Sequence, residues 1–358
     1  MIPLNGFLSD RFSMLIRISF GAKRLKAGGL ILLLIAFTGS ALADMFVLTN
    51  RIQVDALGPA GASDGKIVAA SDNRGATSLY RVDNGELMLR VNHAEYDVSK
   101  AGGETNAIDF SPDGKWFLTG MNDTGCKIWD ARSGKLVMQL GNGTSTDGAA
   151  FSPDGRFVAV AQNKLAVIYS LPDFKVVAEI DHTEGECNMI DWAFDSSLFA
   201  SCAGGGTVKV TRSKDWKVIH EITFPARRVK GIRLSPDGRY VAACGGEQRV
   251  LVYRLSDGKV AADLPHPSIV GALEGDDNDG PPSRANVEAV VWTNDSRHLI
   301  TGGTYDGRLR VWRVGDWTIV DEFQGQALNR QVEYLRISVD GVLASVGDEG
   351  YLYLFDSL

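Results

Sequence analysis

The chain has 358 residues, is 44% apolar and 23% charged, and carries a net charge of −7. That apolar fraction is enough for a packed core and no segment is low-complexity. An acidic balance without a basic stripe repels phosphate backbones, so no nucleic-acid partner is expected.

Residues 1–43 stand apart from the rest. Arg11, Arg17, Lys23, Arg24 and Lys26 precede the apolar run LILLLIAF, and the segment closes on Ala41-Leu42-Ala43. Basic start, apolar middle and small-x-small end are the features of a secretory signal peptide cleaved after Ala43. The apolar stretch 28–43 is shorter than the ~20 residues a membrane helix needs. The expectation is a periplasmic or secreted chain with no stable membrane insertion after cleavage; a retained N-terminal membrane anchor is the alternative. Met1 and Met14 are both candidate starts, and no Cys at the cleavage site suggests a lipoprotein. Cleavage removes five basic residues and one acid, taking the net charge from −7 to −11.

Beyond the leader the chain is periodic. Turn aspartates recur at Asp64, Asp113, Asp154, Asp195, Asp237, Asp295 and Asp340, spaced by 49, 41, 41, 42, 58 and 45 residues. Before most lies a short apolar segment (NAIDF, NMIDW, KGIRL, EAVVW). Behind them come a second (KWFLTG, RFVAVA, SLFASC, RYVAAC), a third (CKIWD, LAVIYS, VLVYR, LRVWR) and a fourth (KLVMQL, KVVAEI, KVAADL, TIVDEF). Short runs rich in Val, Ile and aromatics between Gly, Asp, Asn and Pro turns predict strands, and after residue 45 no helical period is sustained. Four strands per unit of about 40 residues predict an all-β, seven-bladed β-propeller. The last unit stops at YLYLFDSL after its third strand. MFVLTN, residues 45–50, has the spacing from Asp64 that KLVMQL has from Asp154. It is therefore the predicted outer strand of the last blade, closing the ring and hiding an open edge. Residues 44–358 are read as one ring, monomeric, with an insertion loop at 266–286.

The SPDG turns and the third strands KIWD (Lys127–Asp130) and RVWR (Arg310–Arg313) resemble the WD-repeat β-propeller family over residues 45–358. Only Trp129-Asp130 is a literal WD pair. The resemblance implies a hydrogen-bonded tetrad of loop His, Ser/Thr, turn Asp and Trp within a blade. Thr119, Asp123 and Trp129 would supply three members in blade 2, and Thr301, Asp306 and Trp312 three in blade 6. Neither set shows a His at the usual distance, while DHT at 181–183 comes near that position in blade 4. The resemblance also implies protein binding through the loop face.

Three other motifs bear on chemistry. Cys187 and Cys202 flank Asp195 at eight and seven residues, which would place them opposite each other in a hairpin. In an oxidising compartment this predicts a disulfide; two buried small hydrophobes is the other reading. GASDG at 61–65 matches G-x-S-x-G around Ser63 but falls on a blade turn, where no nucleophile elbow forms. EGDDNDG at 274–280 has Gly275 and Asn286 where a calcium loop needs acids, so it reads as a solvated loop.

His93, His182 and His266 fall 29, 28 and 29 residues after Asp64, Asp154 and Asp237, at the start of loops that lead to the next inner strand. Three imidazoles on one rim are metal-ligand types, but they come from non-adjacent blades. Packing or capping is expected, with no metal and no cofactor. The excess length falls mainly in two connections of this same type, 92–104 and 266–286. Loops on a rigid scaffold commonly carry binding. Candidate partner-binding residues are the three histidines and Tyr96, then Ile269 and Leu273 as an apolar anchor. Asp276, Asp277, Asp279 and Arg284 form a charged rim, and Arg227 and Arg228 stand nearby. No catalytic residue is identified. The expected function is a non-enzymatic protein-interaction scaffold of the cell envelope. The alternative is an exported hydrolase- or lactonase-like propeller enzyme, or a small-ligand binder, with its site at the channel mouth.

Overall fold

A computed structural model describes the chain from Phe46 to Ser357, apart from residues 54–60, 64–65, 72–74, 94–104, 122–123, 142–143, 184, 226–228, 246–247, 267–286, 304–306, 327–331, 333, 339–340 and 347–350. The described residues form seven four-stranded antiparallel sheets and no helix. Six sheets are simple meanders, here blades 1 to 6, over residues 61–92, 105–140, 149–181, 187–223, 229–265 and 287–324. In blade 7, Tyr334–Ile337, Leu343–Val346 and Tyr351–Ser357 are completed by Phe46–Gln53, paired from Phe46↔Ser357 to Gln53↔Tyr351. The ring is closed as predicted, and the closing strand lies within a few residues of MFVLTN.

The core lies between blades. Among the described residues seven hydrophobic clusters occur, and each joins two neighbouring blades. Val68, Ala70 and Tyr80 of blade 1 meet Ala344, Leu352 and Leu354 of blade 7, so the seam that closes the ring is packed like the rest. A sheet with two apolar faces is stable only with a neighbour on each, and stability is collective.

The turn chemistry is local. In blade 2 the Ser111 hydroxyl donates to Asp113 Oδ1 at 2.8 Å and accepts the Trp116 N–H at 2.9 Å. The same arrangement recurs at Ser152 and Asp154, Ser235 and Asp237, and Thr293 and Asp295. The following residue needs positive φ, supplied by Gly155 at 69° and Gly238 at 67°. Blades 4 and 6 place Ser196 and Ser296 there, at φ 58° and 59°. Each of these hydroxyls accepts the backbone N–H of the preceding blade's turn Asp, Asp154 or Asp237, at 3.0 Å. The hydrogen bond across the seam offsets a backbone cost of roughly 1–2 kcal/mol.

Every third-to-fourth strand pairing contains a register shift, from Leu79/Tyr80 in blade 1 to Leu48/Asn50 in blade 7. A bulge twists the exposed outer edge and discourages pairing with another chain.

Candidate functional site

Inner strands and outer strands end at opposite faces of a meander. The turns joining first to second and third to fourth strands gather on one face, called here the turn face. The connections between blades gather on the other, the loop face, where the sequence placed its candidates.

On the loop face the three histidines are buried. His93 Nε2 bonds to Thr119 Oγ1, His182 Nε2 to Ser201 Oγ at 2.8 Å, and His266 Nε2 to Thr301 Oγ1 at 2.8 Å. The indoles of Trp129 and Trp312 donate to Thr119 and Thr301, each at 2.8 Å. His93 and His266 are therefore the partners that blades 2 and 6 had lacked. Their spacing hid them because residues 94–104 and 267–286 intervene before the next inner strand. The backbone N–H of each His still pairs with the blade behind, at Gly75, Lys164 and Gln248, while its ring reaches into the blade ahead. All three are inter-blade ties inside the ring wall.

A cation faces each hydroxyl across the second-to-third strand pair: Lys127 opposite Thr119, Lys209 opposite Ser201, Arg310 opposite Thr301. Burial, and then the Lys127 charge, hold His93 down at about 3; burial and Lys209 hold His182 at about 4; burial and Arg310 hold His266 at about 3. The rings stay neutral. Arg310 Nη1 lies 3.2 Å from His266 Nδ1; since arginine only donates, Nδ1 accepts and the proton sits on Nε2.

The histidine ties stand at the seams 1–2, 3–4 and 5–6, and a different device serves seams 2–3 and 4–5. Asp109 Oδ2 accepts the Phe151 N–H at 2.8 Å, and Asp191 Oδ2 accepts the Leu234 N–H at 2.7 Å. At the position of the fifth-blade tie, Phe224 replaces the His and Ala243 the hydroxyl, both buried in one apolar cluster. Polar and apolar solutions thus both occur around the ring, and seam 6–7 has a polar one in which Gln326 Nε2 donates to Ser345 Oγ at 3.0 Å.

The two aspartates belong to a polar group on the inner strands that the sequence reading missed. Arg233 is 7% exposed, with Nε 4.0 Å from Asp191 Oδ1 and no hydrogen bond to that nitrogen among the described residues. Its guanidinium lies 5.9 Å from the Tyr334 ring centroid. Burial raises Asp109 to about 7, with the Asp191 charge adding to it, against hydrogen bonds from Phe151 and Phe110 and the Arg233 charge. Burial likewise raises Asp191 to about 6, opposed first by Arg233, and raises the Tyr334 phenol. The signal was available: Asp109, Asp191 and Arg233 each stand four residues before a turn Asp.

Cys187 and Cys202 are buried free thiols in this structure, where the sequence predicted a disulfide. A register shift pairs Cys187 with Ala203 and Met189 with Cys202. The two side chains then point to opposite faces of blade 4, Cys187 toward blade 3 and Cys202 toward blade 5. Burial raises both thiols, Cys202 to about 12. Among the described residues no cluster of three or more His, Cys, Asp or Glu side chains is arranged for a metal. Tyr96, Arg227, Arg228, Ile269, Leu273, Asp276, Asp277, Asp279 and Arg284 lie outside the described residues.

Three segments, 98–130, 174–211 and 279–313, match the family described as WD domain, G-beta repeat. They carry the hydroxyls of blades 2, 4 and 6, the blades with histidine ties, and they support a WD-repeat propeller. The chain is similar to the small ribosomal subunit protein RACK1z of Oryza sativa subsp. japonica, 27% identical over 30% of this chain and 35% of that protein. It is also similar to eukaryotic translation initiation factor 3 subunit I of Coccidioides immitis (strain RS), 31% identical over 26% of this chain and 27% of the relative. The matched stretches span about a third or less of these relatives.

Proposed function

We propose that the chain is a non-enzymatic protein-interaction scaffold of the cell envelope, exported by residues 1–43, whose loop face docks a protein partner through the insertion at 266–286. One observation carries this reading. Both long connections rise directly from buried, hydrogen-bonded histidines, His93 before residues 94–104 and His266 before residues 267–286. A long loop on a fixed post, on a rigid ring, has a defined origin with a variable tip, as a binding loop requires. The likeness to RACK1z and to a translation-factor subunit, members of larger assemblies by name, supports a role in assembly.

The test is mild cross-linking in the native envelope, comparing the intact chain with one lacking residues 268–284. Capture of a protein by the first and its loss from the second is expected. Capture by neither, with the shortened ring still folded, overturns the reading.

A small-ligand reading has one observation in its favour, the buried Arg233 Nε without a hydrogen-bond partner among the described residues and beside Asp191. Both neighbouring carboxylates already hold backbone N–H groups of the next blade, which favours a structural role.

A further inference from the structure

Ten large apolar side chains of the described residues are exposed. Nine lie in the first three positions of a blade's outer strand: Leu87 and Met88 in blade 1, Leu136 and Val137 in blade 2, Val176 and Val177 in blade 3, with single residues on blades 5, 6 and 7. Outer strands begin where third strands end, so these positions border the turn face. The tenth, Phe194, is 60% exposed and sits in the first turn of blade 4, on that same face. Exposed apolar residues scattered singly are ordinary, but all ten bordering one face of a ring is a pattern.

The half-exposed aromatics follow it. Trp116 opens a second strand, and Trp216 and Trp317 sit in third-to-fourth turns. The other four of the seven tryptophans are buried. Lys135, Lys175 and Lys259 stand immediately before the apolar starts of three outer strands. A lysine can hold its ammonium at a phosphate while its stem and the next residue enter an apolar layer.

We propose that the turn face seats on a lipid surface, leaving the loop face outward. A belt spread over six blades needs a partner that is flat across the whole ring, and a globular protein reaches only part of it. Aromatic side chains at the edge of an apolar layer suit the headgroup boundary of a bilayer. The proposal does not depend on what occupies the loop face.

The test uses residues 44–358, which carry every strand of the ring, with vesicles of phosphatidylcholine alone or mixed with phosphatidylglycerol. Co-sedimentation with the vesicles is expected, with at least a tenfold lower bound fraction for the chain bearing Leu136→Glu and Val176→Glu. Both sites are exposed, and an unchanged thermal melt confirms the fold. Acyl chains brominated near the headgroup are expected to quench tryptophan fluorescence of the unaltered protein, a readout independent of any variant. Failure of the unaltered chain to bind or be quenched, or equal binding by the glutamate variant, overturns the proposal. So does a dimer that the glutamates dissociate, because the face would then belong to a second copy.

Discussion

The indole of Trp216 meets the ring of Phe157 edge-on, with centroids 5.1 Å apart and planes at 86°, and it does so from a left-handed backbone at φ 55°. Trp216 belongs to blade 4 and Phe157 to blade 3. Trp317 reaches Tyr240 of blade 5 in the same way, at 5.6 Å and 90°, and Phe174 packs on Trp116 of blade 2 at 5.7 Å. Blades 1, 2 and 5 have glycine at this turn position. Where a seam receives an aromatic clamp, the backbone accepts a conformation that L-residues disfavour.

Replacing Trp216 therefore has two separable costs. Trp216→Ala keeps the strained φ and loses the packing, and is expected to destabilise the ring by about 3 kcal/mol. Trp216→Gly loses the same packing but relaxes the backbone, and is expected to be less damaging by about 1 kcal/mol. Urea denaturation of the two variants measures the difference; equal losses would remove backbone strain from the account.

The histidine ties and their apolar substitute should be exchangeable as pairs. His182→Phe alone, or Ser201→Ala alone, leaves a buried polar partner unmatched and is expected to cost about 2 kcal/mol. Together they reproduce the Phe224 and Ala243 pair of blade 5. The double variant is expected to recover at least about 1 kcal/mol relative to the sum of the singles. A double-mutant cycle with no coupling would count against the tie.

Acid stability is a contest between buried groups of opposite sign. His93, His182 and His266 have native pKa values lowered to about 3, 4 and 3, so the unfolded chain binds more protons below pH 6.5 and stability falls as pH falls. Asp109 and Asp191 are raised to about 7 and 6, so the native chain holds protons that the unfolded chain has released. Their contribution is fully present below pH 3.8 and is lost as pH rises through those values. Each group shifts the slope by about 1.4 kcal/mol per pH unit. Near pH 5 the two carboxyls offset about two of the three histidines, leaving a net slope of about 1.4 kcal/mol per pH unit. Asp109→Asn with Asp191→Asn is expected to steepen the acid-side loss by about 3 kcal/mol per pH unit, read from denaturation midpoints between pH 4 and 6. An unchanged slope would mean that the carboxyls titrate normally.

Cys126, Cys187, Cys202 and Cys244 are buried and none is in a disulfide. A thiol reagent is expected to label none of them in the native ring and all four after denaturation without reductant, counted by intact mass. Labelling of only two would restore the Cys187–Cys202 bond.

How far each feature was legible depended on the distance over which it is encoded. The SPDG turns hold their own hydrogen bonds within five residues, from Ser111 to Asp113 and Trp116, and so they mark every blade they begin. Ring closure was legible because Phe46–Gln53 repeats the spacing of other outer strands. The ties were harder: 26 residues separate His93 from Thr119 and 35 separate His266 from Thr301, with connections of different length between. His182, with a short connection to Cys187, was the one that came near its expected place.

The sequence alone determined the strand period, the blade number and the closing strand, because alternation and turn chemistry act between near neighbours along the chain. Only the tertiary structure decided which way each side chain faces and what it meets across a seam. A one-residue register shift sent Cys187 and Cys202 to opposite faces of their sheet. Asp109 and Asp191 found partners in backbone N–H groups one blade away. Such pairings depend on how neighbouring sheets stack, and loops of variable length remove that information from residue spacing.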